Sequence, residues 1–515
     1  MLDIRTPEVA SADSPGAVRV GWPFGAVLVL ASSAIVLVSE IVAARVIAPY
    51  VGITLETFSA VIGCVLAGIS IGSWAGGWLA DRVPARTLLT GSLTLGGAAL
   101  IASPYVVRGI GPHVTPSAPS GALFLAAGGF LLPSIALSAV TPTVLKAIGQ
   151  GSRRLGSVAG AVSAIGTAGA LIGNFGAGFI LVGSLRSGQI LVLCGSACLV
   201  LAAATALVLG SPGRGHGGSR GVGAAVLLLV GGVGGSQLGR QLPCDAETKY
   251  VCLNIDQTAP DTYLIRSNIY SSSVTNVADP TDLQFGYVRE VAAVVEVAVD
   301  PDGQELGFGY VGGGGYTLPL YFEAIYPGAS HVVYEIDEDL VDRVTTVLGI
   351  ENRDARFPTR IGDARAEVAT SSRGSMDVVV GDAFSGISVP WHLTTKEFLE
   401  DVRSLLTPRG LYVMNLIDYD HYDLARAQAM TFRSVFDDVA VIAPSFVLSD
   451  SNGTGSNVLL IGGDDVPDAA VLNEALRRTR SGGVAVTGTD LDVFIGDAIA
   501  LTDDFAPVDQ LLGRP

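Results

Sequence analysis

Between Trp22 and Leu238 the chain runs through long apolar stretches almost free of charge. This feature limits the fold more than any other, because a helix of about 20 apolar residues crosses the hydrocarbon core of a bilayer. Six stretches reach that length, near residues 22–44, 57–80, 87–107, 121–145, 158–183 and 188–210, and a weaker one lies near 222–238. Each is bounded by Gly, Pro, Ser or Arg. Backbone N–H and C=O groups in hydrocarbon find partners only within a helix or a closed barrel, so each stretch is expected to be a helix. The first part of the chain is read as a transmembrane bundle of six or seven spans.

Charge divides the chain at the same place. Residues 1–240 hold 13 basic and 6 acidic side chains, net +7, while residues 241–515 hold 18 and 42, net −24. So acidic a half repels a phosphate backbone, which excludes nucleic acid as a partner. The first 20 residues carry Asp3, Glu8 and Asp13 and do not read as a cleaved signal peptide. The expected organisation is a tail (1–21), a transmembrane domain (22–240), a linker (241–261) and an α/β domain (262–515).

Within the second span, Gly68, Gly72 and Gly76 recur at four-residue spacing, which suits close helix packing. Glu40, near the end of the first span, has two readings: a functional intramembrane charge, or an interfacial partner of Arg45. Arg82 and Arg86 follow the second span, Lys146, Arg153 and Arg154 the fourth, and Arg214 and Arg220 the sixth; the other loops hold one each, Arg45, Arg108 and Arg186. The basic loops and the N-terminus are therefore expected in the cytoplasm. The side of the acidic half depends on whether the weak seventh stretch crosses, and both sides stay open. Cys64, Cys194 and Cys198 sit in apolar stretches as small core residues; Cys244 and Cys252 flank the start of the acidic half, where a disulfide is one reading. No Cys/His cluster has zinc spacing, so no metal is expected.

The acidic half alternates strand-like and helix-like segments. Thr262–Thr275 reads as a hairpin and 281–298 as a helix with Leu283, Tyr287, Val291, Val294 and Val295 on one face. Strands are expected at Leu306–Val311, His331–Ile336, Met376–Val380 and Gly410–Leu416, with helices at Thr317–Ile325, Glu338–Leu348 and Thr394–Leu406 between them. That alternation implies a mostly parallel sheet with helices on both faces, a Rossmann-like fold whose ligands lie beyond the carboxyl ends of the strands.

Three features fall at those ends. Gly312, Gly313 and Gly314 open a glycine run after the first strand, where a ligand approaches the backbone and the next helix offers free N–H groups. Glu335 ends the next strand, 21 residues beyond Gly314, the spacing of a carboxylate that accepts from ribose hydroxyls. Asp363, before Ala364, and Asp382 end later strands; the first suits an adenine amino group, the second a base or the partner of a cationic substrate. The order of glycine turn, Glu, Asp and Asp points to a nucleoside cofactor, and no signal for hydride transfer accompanies it.

Val311-Gly-Gly-Gly-Gly-Tyr-Thr-Leu318, Tyr334-Glu-Ile-Asp337, Gly362-Asp-Ala364 and the strand ending at Asp382 resemble the spermidine synthases, over about residues 262–465. The whole chain is similar to membrane-fused spermidine synthase-like proteins, and Gly76–Arg86, with Asp81, Arg82 and Arg86, resembles a loop motif of major facilitator transporters. The resemblance implies an aminopropyltransferase taking decarboxylated S-adenosylmethionine and a small-molecule amine such as putrescine. It implies cofactor binding by Gly312, Gly313, Gly314, Glu335 (ribose), Asp363 (adenine) and Ala364, catalysis by Asp382, a lipid bilayer as partner, a multi-pass place in the cell membrane, and a homo-oligomer as one option.

The chain departs from the family pattern at three places. Its glycine loop has no Asp, Ser385 stands where a second Asp follows the catalytic one, and Tyr270-Ser271 replaces a Tyr-Gln pair. His392 has two readings, substrate contact or loop packing, and Asp503 and Asp504 read as a turn or cap. Two other functions stay open on these departures: an S-adenosylmethionine-dependent methyltransferase, and a non-enzymatic transporter-like or sensor protein with a ligand-binding domain.

Overall fold

A computed structural model describes residues 20–52, 55–114, 119–149, 154–210, 244–299, 305–350, 353–448 and 453–513. The chain forms two compact units, one holding most of the apolar helices and the other the acidic half.

Among the described residues, six helices are long and apolar enough to cross a membrane: α1 (Trp22–Val51), α2 (Glu56–Ala80), α3 (Ala85–His113), α4 (Ser120–Gly149), α5 (Leu155–Ser184) and α6 (Ser187–Val208). The weaker stretch near 222–238 lies outside the described residues. The small-residue stripe of α2 faces α4: a Cβ on Gly68 would meet Ser134, one on Gly72 the Ile135 backbone and one on Gly76 Ala139. Any side chain there forces the helices apart, so the stripe is a packing seam. A π turn at Ala127–Leu131 interrupts α4, and the Gly129 carbonyl within it accepts from Ser103 Oγ at 2.8 Å. Arg45 donates to Ser187 Oγ at 3.3 Å. After α2, Asp81 pairs with Lys146 at 2.7 Å, Arg82 donates to the Trp78 carbonyl, and Arg86 donates to the Ala206 carbonyl.

The acidic half begins with an antiparallel sheet, β1 (Ala246–Glu247), β2 (Cys252–Ala259), β3 (Thr262–Ser267) and β4 (Tyr270–Asn276), in that order. The expected hairpin is β3–β4. The segment 241–261, read as a linker, instead contains β1 and β2. Leu253 is fully buried in the domain core and a Cys244–Cys252 disulfide closes the β1–β2 turn. Asn254, Asp256 and Gln257 make the strand polar enough to look like a linker.

The larger sheet adds β5 (Gly307–Val311), β6 (Ser330–Glu335), β7 (Thr359–Ile361), β8 (Met376–Gly381), β9 (Leu406–Asp420), β10 (Asp438–Pro444), β11 (Gly453–Gly463) and β12 (Gly483–Val486), in the order β12-β10-β11-β9-β8-β5-β6-β7. The four expected strands, β5, β6, β8 and β9, are parallel, and β7, not among those expected, joins them parallel at the edge. The other three join antiparallel, so the sheet is mixed. The added strands lack long crossover helices at β10–β11, and without a crossover the chain can only return antiparallel.

Helices cover both faces. On one lie α7 (Gly286–Ala298), α8 (Thr317–Ile325) and α9 (Glu338–Leu348), sharing a core with Phe308, Tyr310, Val378 and Val380. On the other lie α10 (Ala364–Ala369), α11 (Lys396–Leu405) and α12 (Asp423–Arg433), sharing a core with Val311, Tyr334 and Val379. Alternate residues of one strand serve opposite faces, which is why β5 and the Val378–Val380 run of β8 are apolar. From β5 the chain steps outward to β6 and β7, then returns to lay β8 on the other side of β5. The β5/β8 boundary is therefore the topological switch point, where neighbouring connections leave a crevice.

Candidate active site

The residues expected to bind and react all reach that crevice. Gly312 takes φ +104°, and a Cβ there would lie 2.6 Å from the Asp382 carbonyl oxygen. Its N–H donates to the Tyr334 carbonyl at 2.9 Å, while the Asp382 N–H donates to the Val311 carbonyl at 2.8 Å. The glycine turn and the end of β8 are thus stitched side by side, and only glycine fits between them.

Glu335 sits at the end of β6 beneath the turn. Its Oε2 accepts from the Gly313 N–H at 2.7 Å and its Oε1 from the Asp337 N–H at 3.0 Å. Burial pushes its carboxyl above the usual range, while those N–H donors hold the ionised form. Asp337 accepts from Thr248 Oγ1 and caps α9 through the Leu340 N–H, which fixes the strand end from the small sheet. Asp363 caps α10 through the Arg365 N–H at 3.0 Å and pairs with His392 Nε2 at 2.9 Å. Ala364, the first residue of α10, lines the same cavity. His392 therefore has a partner at the site's edge, and Asp503, read as a turn, pairs with Arg365 there.

Asp382 is held from two sides. Its Oδ2 accepts from the Tyr287 hydroxyl at 2.9 Å and its Oδ1 from Asn415 Nδ2 at 2.8 Å. Asn415 Oδ1 in turn accepts from Asn457 Nδ2 at 3.0 Å. Burial raises the Asp382 carboxyl and the two donors lower it. Burial beside Asp382 also raises the Tyr287 hydroxyl, so it stays protonated and donates. Sequence reasoning missed these partners. The helical spacing accounts for Tyr287 without its hydroxyl, and Asn415 lies inside an apolar strand. The signal was present: one amide in Leu-Tyr-Val-Met-Asn-Leu-Ile needs a buried partner.

The cavity has a volume of about 460 Å³. Among the described residues, its lining carries four carboxylates, Glu335, Asp337, Asp363 and Asp382, and no lysine or arginine. Its field favours a cationic ligand. The carboxylates and the glycine turn fall into two halves. The turn, Glu335 and Asp363 lie over β5, β6 and β7, and Asp382, Asn415 and Asn457 lie over β8, β9 and β11.

No protein-family model matches the chain. A polyamine aminopropyltransferase of Vibrio vulnificus is 29% identical over 168 residues, which cover 31% of this chain and 52% of that protein. The chain spans about half the length of this curated relative. A human eEF1A lysine and N-terminal methyltransferase is 31% identical over 121 residues, 21% of this chain and 17% of that protein. A probable spermidine synthase structure from Corynebacterium glutamicum is 26% identical, with a TM-score of 0.46, and is covered over its full length by 53% of this chain. The fold and crevice define the acidic half as a Rossmann-like α/β domain following six apolar helices.

Proposed function

We propose that the chain is a bilayer-anchored aminopropyltransferase, which moves an aminopropyl group from decarboxylated S-adenosylmethionine to a small amine. The observation that carries this reading is the Asp382 carboxylate, buried at the switch point between the Tyr287 hydroxyl and the Asn415 amide. The donor's adenosine would lie over β5, β6 and β7. There Gly312, Gly313 and Gly314 allow close approach, Glu335 takes the ribose hydroxyls, and Asp363 with Ala364 takes the adenine edge. Its sulfonium would then face Asp382. An amine attacks the carbon beside sulfur and must lose a proton, and a carboxylate whose pKa burial raises is suited to accept it. Six apolar helices supply the anchor.

The donor's missing carboxylate matters. Intact S-adenosylmethionine would bring an anion into a cavity whose described lining residues include four carboxylates and no lysine or arginine. The decarboxylated donor brings only positive charge, so the lining favours it. Methyl transfer is the second reading. Part of the chain is similar to a methyltransferase.

The test uses the full chain in detergent with putrescine and each donor in turn. Aminopropyl transfer releases methylthioadenosine from the decarboxylated donor, and Asp382→Asn slows the release by about 100-fold or more. Formation of S-adenosylhomocysteine instead, with no methylthioadenosine, moves the assignment to methyl transfer.

A further inference from the structure

The two halves of the cavity differ in charge. Over β5, β6 and β7, Glu335, Asp337 and Asp363 line it, each already engaged by backbone N–H groups. Over β8, β9 and β11 the lining is Asp382, Asn415, Ile417 and Asn457. Asn415 and Ile417 alternate along β9, and Asn457 stands opposite Ile417 in the β9–β11 register. These side chains form one neutral surface beyond Asp382, and Tyr270 and Ser271 of β4 line the same cavity. On this side Asp382 is the one carboxylate among the described lining residues, and its oxygens already hold Tyr287 and Asn415.

This arrangement suits an amine at one end and poorly suits a cation at the other. A diamine bound with its reacting nitrogen at Asp382 would place its second ammonium among amides, hydroxyls and Ile417. An ammonium taken from water needs a counter-charge, and neutral groups do not replace one. Amides and hydroxyls do satisfy a neutral polar group fully.

We propose that the acceptor is a primary amine whose far end is a neutral hydrogen-bonding group, an amide or a hydroxyl, in place of a second ammonium. This rests on the aminopropyl-transfer reading above. The amine nitrogen attacks the aminopropyl CH2 attached to sulfur. The new C–N bond forms as the C–S bond breaks, and that electron pair returns to sulfur as neutral methylthioadenosine. The proton released from nitrogen goes to Asp382. The product is a secondary amine that keeps the neutral end, so an enzyme consuming it would act on an amide- or hydroxyl-bearing amine.

The test measures methylthioadenosine release by the full chain with the decarboxylated donor. Putrescine is compared with γ-aminobutyramide and with aminobutanol, which match its carbon chain and exchange one ammonium for an amide or hydroxyl. At least one neutral-ended amine should show kcat/KM about tenfold or more above putrescine, the ratio worth about 1.4 kcal/mol. Ile417→Asp, which adds a carboxylate to the neutral surface and leaves Asp382, Asn415 and Asn457 themselves unchanged, should narrow that ratio about tenfold. Ser271→Asp, at an exposed position of the same lining, is the alternative should the first variant fail to fold. Putrescine used as well as or better than both neutral-ended amines overturns the proposal and leaves aminopropyl transfer standing. No methylthioadenosine with any amine, while the donor still binds, overturns both.

Discussion

The guanidinium fork of Arg365 grips both carboxylate oxygens of Asp503 at 2.6 Å, across 138 positions of sequence. Arg365 also donates to the His392 carbonyl at 3.3 Å, and the Asp503 N–H donates to Glu397 at 3.0 Å. Hydrogen bonding from Arg365 holds the Asp503 carboxyl below its usual range. The pair fastens three things together: α10, whose cap is Asp363, the loop carrying His392, and the C-terminal segment. Both partners are partly exposed, so the pair adds about 1 kcal/mol or less to stability. Its stronger effect is on position. Asp503→Ala should weaken binding of methylthioadenosine about threefold to tenfold while Tm falls by no more than about 4 °C. Calorimetric titration beside a thermal melt checks both, and unchanged affinity would show that the clamp does not position the site.

Glu335 gives a sharper prediction, because its carboxylate supports the glycine turn through Gly313 and its own strand end through Asp337. Glu335→Gln keeps the shape but presents an NH2 to one of those N–H donors. A hydrogen bond to a charged group is worth about 1.5–3 kcal/mol, so the nucleoside Kd should rise at least about tenfold. Equilibrium binding of methylthioadenosine reads this without relying on turnover. Affinity equal to the parent would remove Glu335 from the ribose site.

Much of this site was legible because its carriers sit at strand ends that sequence marks well. Val311 closes an apolar run and four glycines follow it, the pattern of a strand running into a tight turn, and Glu335 and Asp382 end apolar runs. The partners of Asp382 were less visible. Tyr287 lies on a helix whose apolar spacing explains it without its hydroxyl, and Asn457 meets Asn415 only because β11 joins β9 antiparallel. A long-range pairing of that kind leaves no local signal. The same holds for Arg365 and Asp503. The β1–β2 strands escaped notice for a different reason: a half-exposed edge sheet tolerates Asn254, Asp256 and Gln257, and its anchor is Leu253 with a disulfide.

Asp418, on β9, is fully buried and sits apart from the cavity lining. It accepts from the N–H groups of Tyr419, Ala425 and Gly513, tying the start of α12 to the C-terminal segment. Burial pushes its carboxyl up to about 6, with the three N–H donors opposing. In the unfolded chain it titrates near 3.9, as a roughly unperturbed Asp. Between about pH 4 and about 6 the folded state therefore binds the extra proton. The stability that this group contributes is full below about pH 4, is lost as pH rises toward about 6, and is constant above that. Asp418→Asn should lower Tm at every pH, because one accepting oxygen becomes a donor. It should also remove this group's slope from the Tm curve. Melts of parent and variant from pH 4 to 7 check the sign: a parent-minus-variant difference that grows with pH across this window would contradict it.

The last prediction concerns the base. Asp382 acts only when ionised, so kcat/KM must fall as pH drops through its pKa in the free enzyme. Burial raises that pKa, and the hydrogen bonds from Asn415 and Tyr287 lower it by favouring the charged form. Removing either donor takes away support for the anion and leaves the burial in place. Asn415→Leu and Tyr287→Phe should therefore each move the acidic limb of the kcat/KM profile to higher pH, with a smaller loss of rate on the alkaline plateau. Asp382→Asn differs in kind. It removes the proton acceptor and should cost about 100-fold to 10,000-fold on the alkaline plateau, a loss that shrinks at lower pH where the parent's Asp382 is itself protonated, with no Asp382 limb to move. The three profiles separate two roles that a single rate measurement would merge. A residue that only supports the fold changes the height of the profile. A residue that positions and charges the base changes where the profile bends. If Asn415→Leu lowers the plateau but leaves the acidic limb in place, Asp382 is not the group whose ionisation limits the reaction.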